Sequence, residues 1–518
     1  MPVTLTYPGV YVQEIPSGSR TITGVATAVA AFVGRASRGP VDRPVPISSY
    51  AQFERQFGGL WRDSGLGYAV RDYYLNGGSL AVVIRLGGGA GDPSAAATSA
   101  TIDAGGLPLE AATPGAWSDT LEVEVVHASS PEADEVAAQQ GVAPTDLFHL
   151  TVREGPGEQA LEETHLNVTV VDGPRQVDDA LGTSELVSVA GTLPGARPAE
   201  ATYSVATDGT AGFDGGALVD DDYAGAGFEA AKRGIYALLD AELFTILCLP
   251  PTSPEGDLPD ALWPTALAFC RDRRAFLLVD PPAGETTATI RTWLGGQGLG
   301  ADGRNGALYF PRIRRPDPLR DGTVRTFVPS GAVAGIMART DGARGVWKAP
   351  AGTDAGVSGA QGLAVALTDG ENGDLNPYGV NCLRTFRTIG TVVWGARTLR
   401  GADAFADEYK YVPVRRLALF LEETLYRNLQ WVVFEPNDEP LWSQIRASVG
   451  AFMQDLFRQG AFQGQTPRDA YFVRCDAETT TQYDIDRGIV NIVVGFAPLK
   501  PAEFVVISIQ QKTATAAT

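Results

Sequence analysis

The chain is 518 residues long, with 44% hydrophobic and 20% charged residues; this is the make-up of a folded globular protein, and the length calls for two to four domains rather than one core. Its 61 acidic against 41 basic residues leave a formal charge of −20. That balance speaks against nucleic acid or an anionic membrane as the main partner, and it makes copies of the chain repel at long range, so any self-assembly must rest on short-range pairing and burial.

No segment reaches the length of a transmembrane helix, so no membrane insertion is expected. The opening MPVTLTYPGVYVQE has neither a basic start nor a continuous apolar run, which predicts synthesis in the cytoplasm without a signal peptide. Cys248, Cys270, Cys382 and Cys475 are scattered, without CxxC spacing. They read as small buried thiols in a reducing compartment.

In chain order, a short strand over Tyr11, Val12, Gln13 and Glu14 sits between Pro8-Gly9 and Pro16. Residues 24–34 (GVATAVAAFVG) read as a buried strand and 49–57 as a helix. GYAVRDYYLNGG (67–78) places Val70, Tyr73 and Tyr74 at helical spacing and ends on Gly77-Gly78. LAVVIRL (80–86) is a continuous apolar strand. Helix then short buried strand is the rhythm of an α/β layer.

At Gly87 that rhythm stops. Beyond a loose Gly- and Ala-rich stretch lie alternating segments at 120–128, 146–154, 165–173 and 185–191. Their period of two marks a β-rich module inserted over 88–205. The α/β pattern then resumes, with a helix over 227–242, strands over 243–250, 275–282 and 307–315, and a helix over 261–273. A further helix over 331–341 takes Ser330 as its N-cap.

The last part reads as an α+β unit that opens with a strand over 391–399. A helix over 412–430 carries Leu417, Phe420, Leu421, Thr424 and Leu425 on one face, and a strand over 431–436 follows. A helix over 438–462 has Leu441, Trp442, Ile445, Val449, Phe452 and Leu456 as its buried stripe. Strands over 471–476, 488–497 and 503–511 finish the chain. The final strand, with Phe504, Val505, Val506, Ile507 and Ile509, lies behind Pro498 and Pro501 and buries nothing unless it joins a sheet. Two proline-isolated terminal strands suggest a protomer that lends strands to its neighbours. Pattern alone leaves open that both close a sheet within their own chain.

Little points to catalysis. The three histidines, His127, His149 and His165, all fall in the inserted module, away from any α/β site where a Ser-His-Asp arrangement would be built. They lack metal-ligand spacing and a nearby cysteine. VDDDYAG (219–225) reads as a turn that starts a helix. TDGENGDLNPYG (368–379) is rich in oxygen ligands but lacks the bidentate Glu of a calcium loop, so it reads as a cluster of β-turns. GGQGLGADG (295–303) is neither a phosphate-binding loop nor a dinucleotide fingerprint. No catalytic residue, metal or cofactor is expected.

The order of several blocks carries a resemblance. YPGVYVQEIPSGSRTITGVATAVAAFVGRASRGPVDRPVPISSYAQFERQFGG (7–59), AKRGIYALLDAELFTILCLPP (231–251) and PSGAVAGIMARTDGARGVWKAPAG (329–352) are followed by LNPYGVNCLRTFRTIGTVVWGARTL (375–399), YKYVPVRRLALFLEETLYRNLQWVVFEPNDEPLW (409–442) and KPAEFVVISIQ (500–510). In this order and spacing the chain resembles a contractile tail sheath protein of phages and phage-tail-like injection systems.

The resemblance implies a structural subunit, not an enzyme. It implies stacked hexameric rings around an inner tube, with baseplate and tail terminator or cap proteins as further partners. The implied fold is α/β and α+β multidomain, with a subtilisin-like α/β core that lacks the protease's working residues. The core would be formed by 21–87 and 206–390, with 88–205 as an outer β-rich decoration and 391–497 as an inner α+β domain. The arms 1–20 and 498–518 would exchange strands between copies. The helix 438–459 would face the tube through Arg446, Gln454 and Arg458, which lie off its apolar stripe. Contraction would trade a poor set of lateral contacts for a larger one, and apolar burial at about 25 cal/mol per Å² could drive it without a nucleotide. The competing readings are a subtilisin-like hydrolase, which needs a histidine beside a serine and an aspartate in the core, and a secreted surface-layer or adhesin protein, which needs an export signal.

Overall fold

The computed structural model describes residues 20–129, 131–155 and 161–508. The chain divides into two compact units. The larger comprises residues 28–339 and 350–410, and the described part of the smaller comprises 20–27, 340–349 and 411–508.

The larger unit is built on an eight-stranded sheet. Its strands are β1 (Val29–Gly34), β2 (Val45–Ile47), β3 (Leu80–Arg85), β4 (Ile246–Cys248), β5 (Phe276–Val279), β6 (Gly306–Phe310), β7 (Val380–Phe386) and β8 (Gly390–Val393). They run in the order β8-β7-β6-β5-β4-β1-β3-β2. The inner pairings are parallel and the two outermost are antiparallel. Every residue of β1, β4, β5 and β6 is buried. This is why these segments read as continuous apolar runs: a parallel sheet is covered on both faces.

The inserted module forms two four-stranded antiparallel sheets around one apolar core. Its last strand, Gly209–Thr210, lies just past the expected limit at 205. Arginines seat the module on the ends of β1 and β3. The Arg85 Nη1 donates to the Gly39 and Pro114 carbonyls, both at 2.7 Å. Arg38 pairs with Glu154 at 2.9 Å and lies over the Trp117 ring.

The smaller unit packs the helices Val412–Asn428 and Glu439–Arg458 around Leu417, Leu421, Ile445, Val449 and Met453. The second helix starts at Asp438, whose carboxylate accepts from the Leu441 N–H. Both expected apolar stripes are present, and on the second helix Leu441, Trp442, Ile445, Val449, Phe452 and Leu456 are all buried.

Several expectations are corrected. The 307–315 segment is two strands in different sheets, Gly306–Phe310 and Ile313–Asp317, parted at Pro311, which has no N–H for a ladder. The 227–242 helix is a short helix, Phe228–Ala231, then a 3-10 segment, Gly234–Asp240. It breaks where Lys232 and Gly234 take positive φ of 53° and 61°. The 368–379 turn cluster contains a helix, Asp369–Leu375, opened by a reciprocal cap between Thr368 and Glu371. Within 391–399 the strand is β8, an edge of the large sheet, so the units part at 410/411 rather than 390/391. The 431–436 segment is no strand: a 3-10 turn, Gln430–Val432, leads to Phe434 at φ 71°. Ser330 is the first residue of its helix, Ser330–Arg344, and its hydroxyl donates to Asp280.

Candidate assembly interface

The smaller unit carries one antiparallel pair, Tyr471–Arg474 with Val493–Phe496, in register from Tyr471↔Phe496 to Arg474↔Val493. Alternation sends Tyr471, Val473, Val494 and Phe496 toward the helices. Phe472, 46% exposed, and Val493, 43% exposed, point outward. The Phe472 ring covers Gly495 across the pair, where a Cβ would stand 2.2 Å from it. Beyond the ladder, Gln463 N donates to the Ala497 carbonyl and Ala497 N to that of Ala470. Among the described residues no other strand joins either side. A two-stranded sheet is marginal by itself, and its unpaired edges are templates for further strands.

The expected donor lies just downstream. Glu503 is held by the Tyr411 hydroxyl at 3.3 Å. Beyond it Phe504, Val505, Val506 and Ile507 are 76%, 82%, 87% and 79% exposed and adopt no regular structure. Both faces of this apolar run are therefore bare. Ile509 and the other arm, Tyr11, Val12, Gln13 and Glu14, lie outside the described residues. At the first described residue, the Arg20 N–H donates to Ser448 Oγ at 3.0 Å, and its guanidinium lies 4.7 Å over the Trp431 ring.

The helix residues expected to face a tube differ in availability. Arg446 Nη2 pairs with Glu439 at 2.5 Å, and its Nη1 donates to the Cys475 carbonyl. Gln454 accepts from the Tyr471 hydroxyl at 2.9 Å. Arg458 is solvent-facing, its side chain 73% exposed and only loosely near Asp455 at 3.9 Å. Glu439 lies two turns back on the same helix, but the Cys475 carbonyl and the Tyr471 hydroxyl come from outside it, so helical spacing gives no sign of those two.

The larger unit brings an aspartate and a serine together. Asp280, at the end of β5, accepts from Ser330 N at 3.0 Å and Ser330 Oγ at 2.7 Å. Burial pushes its carboxyl up to about 7, against the pull of the Ser330 hydrogen bonds and Arg312. Ser330 is 1% exposed, and the adjoining cavity of about 10 Å³ has room for a single water. The histidines sit in the inserted module. His127 Nε2 is 2.9 Å from the Pro198 carbonyl, His149 Nδ1 accepts from Asn167 N, and His165 lies 3.5 Å from Glu163. No described imidazole reaches Ser330, so this Asp280–Ser330 pair is not an activated nucleophile of the serine type. All four cysteines are buried and free, and burial raises each thiol. Among the described residues no cluster of His, Cys, Asp or Glu is placed to hold a metal, and no helix is long and apolar enough to cross a membrane.

Comparison with known proteins gives a consistent result. The family model for the phage tail sheath protein central domain matches residues 230–399, and that for the phage tail sheath C-terminal domain matches 406–512, together more than half of the chain. The tail sheath protein of Burkholderia phage BcepMu is 27% identical over 473 residues, which cover 88% of this chain and 87% of the relative. The tail sheath protein of Vibrio phage KVP40 is 26% identical over 246 residues, 45% of this chain, and the match spans 35% of that relative. Among solved structures, the sheath complex of an extracellular contractile injection system, PVC, in the contracted state has a similar fold, with a TM-score of 0.57, 21% identity and 99% of each chain covered.

Proposed function

The chain belongs to the contractile tail sheath family, and from that premise we propose that it polymerises as stacked hexameric rings around an inner tube and contracts to drive that tube through a target envelope. The terminal arms link the copies. Phe504–Ile507 with Ile509, and Tyr11–Glu14 at the other end, add as strands to the open edges of the Tyr471–Arg474/Val493–Phe496 pair of neighbouring copies. One observation carries this reading: four consecutive apolar side chains, each more than three-quarters exposed, follow a sheet of only two strands. Burying each such side chain is worth about 1.5–3 kcal/mol, against about 1–2 kcal/mol per residue for fixing the backbone. A single arm is therefore a modest link, and the strength of the mesh comes from repetition.

The remaining parts follow from the same premise. The larger unit is a subtilisin-like core without the working residues, a reading supported by its mostly parallel sheet and by an Asp280–Ser330 pair with no imidazole. The inserted module decorates the outside. The smaller unit lies innermost, with the Glu439–Arg458 helix toward the tube, and Arg458 is its available cation. Baseplate and terminator proteins close the two ends of the stack.

The experiment is deletion of residues 503–518, followed by negative-stain microscopy. The expected product is a soluble, folded body that forms no cylinders, while the full chain forms ringed hollow ones. Cylinders of normal length from the shortened chain would overturn the exchange of arms.

A further inference from the structure

The smaller unit displays a second apolar feature that no described residue of its own chain covers. Phe434 is fully exposed at 103%, and its neighbour in sequence, Val433, is 58% exposed. Phe434 holds a left-handed backbone, φ 71°. For a bulky aromatic this is a strained conformation of the kind found where structure serves a contact. The loop is nonetheless well anchored. Trp431 and Val432 pack against the core, Glu435 N donates to the Val432 carbonyl, and helices flank it on both sides. The chain thus presents a firm aromatic knob, with the exposed acidic residue Glu435 next to it in sequence.

The outward face of the two-stranded sheet is its chemical complement. Phe472 and Val493 are exposed there, and Arg474 lies 5.1 Å over the Phe472 ring. Among the described residues neither Glu435 nor Arg474 has an ion-pair partner. Each copy therefore carries one acid-flanked apolar knob and one base-flanked apolar face.

We propose that Phe434 of one copy seats on the Phe472/Val493 face of a second copy, with Glu435 opposite Arg474. Such a contact joins two different patches and is heterologous, the type that generates rings or open helices rather than closed dimers. The contact rests on the sheath reading above, yet it is separate from exchange of the arms: the arms occupy the sheet's edges, and Phe434 occupies its face. Buried aromatic anchors of this kind carry most of the energy of an interface.

The test pairs a cross-link with a charge exchange in the full-length chain. The native cysteines are buried, so Phe434→Cys with Val493→Cys should, on mild oxidation of assembled cylinders, give a ladder of inter-chain disulfides absent from either single variant. Cylinders that form without a ladder overturn the proposal. Glu435→Arg and Arg474→Glu alone should each raise the critical concentration for assembly several-fold, and the two together should restore it. A double variant no better than the worse single one also overturns the contact. If the unaltered chain forms no cylinders at all, it is the sheath reading that fails. If the 503–518 deletion abolishes cylinders but the cross-link and charge exchange have no effect, only the Phe434 contact fails.

Discussion

Arg416 and Asp341 form a two-pronged ion pair inside the smaller unit, Nη1 to Oδ1 at 3.0 Å and Nη2 to Oδ2 at 2.6 Å, with 3% and 2% of their side chains exposed. Arg416 Nη2 also donates to the Thr27 carbonyl at 2.9 Å. Planar geometry satisfies both carboxylate oxygens at once, which lysine cannot reproduce. Removing one partner strands a buried charge, so Arg416→Ala should lose about 3–5 kcal/mol of stability. Arg416→Met with Asp341→Leu should recover most of that loss, because no ion is then left unpaired. Urea unfolding of the three proteins checks this, and an Arg416→Ala protein as stable as the parent would refute it.

Asp280 predicts a pH effect in the larger unit. Its carboxyl is raised to about 7, chiefly by burial, from an unfolded value near 3.9. A folded value above the unfolded one means that the native state binds the proton more tightly. The stabilisation is full below about pH 4 and is lost as the pH rises through about 7. Over that window it amounts to an upper limit on the order of 4 kcal/mol, at 1.36 kcal/mol per pH unit. Asp280→Asn keeps an acceptor for Ser330 N but cannot ionise. Its stability relative to the parent should therefore rise between pH 4 and 8, measured as the difference in melting temperature at each pH. Parallel curves would contradict the assignment.

What the sequence discloses depends on how local the signal is. The stripe from Leu441 to Leu456 repeats every three to four residues, so its helix and buried face are plain. The run at β1, and that at β3 from Ala81 to Ile84, are apolar and buried because both faces are covered. The T-x-x-E box at Thr368–Glu371 is also local, but Gly370, Asn372 and Gly373 argue for turns, and the reciprocal cap wins over their poor helix propensity. The run WVVF is apolar enough for a strand, yet Trp431 and Val432 pack inward while Val433 and Phe434 turn to solvent. Only the tertiary surroundings decide that split. Helix packing is likewise hidden: a Cβ on Gly331 would stand 2.1 Å from the Ala69 carbonyl oxygen, and one on Gly335 2.4 Å from that of Tyr73. The alternation-free run at 504–507 is apolar on both faces and bare of cover, a property legible in its sequence, whereas the Cys475 carbonyl that binds Arg446 and the Tyr471 hydroxyl that binds Gln454 come from outside the helix.

Those partners separate two arginines of one helix. Arg446 spans Glu439 and the Cys475 carbonyl, fastening the helix to the strand region, so Arg446→Glu should lower the stability of the isolated chain by about 1–3 kcal/mol through an unsatisfied carbonyl and a like-charge contact. Arg458 has no close partner, its side chain being 73% exposed, and exposed charges of this kind contribute about 0–1 kcal/mol to stability. Arg458→Glu should leave the melting temperature unchanged and instead weaken retention of the inner tube when assembled particles are sedimented, most clearly at low salt, where an exposed charge acts over a longer range. The tube-facing role of Arg458 would be refuted by equal tube retention in parent and variant across salt concentrations. A fall in melting temperature for Arg458→Glu would place its role inside the subunit instead. Because Arg446→Glu perturbs the fold and Arg458→Glu does not, only the second reads the contact with a partner directly.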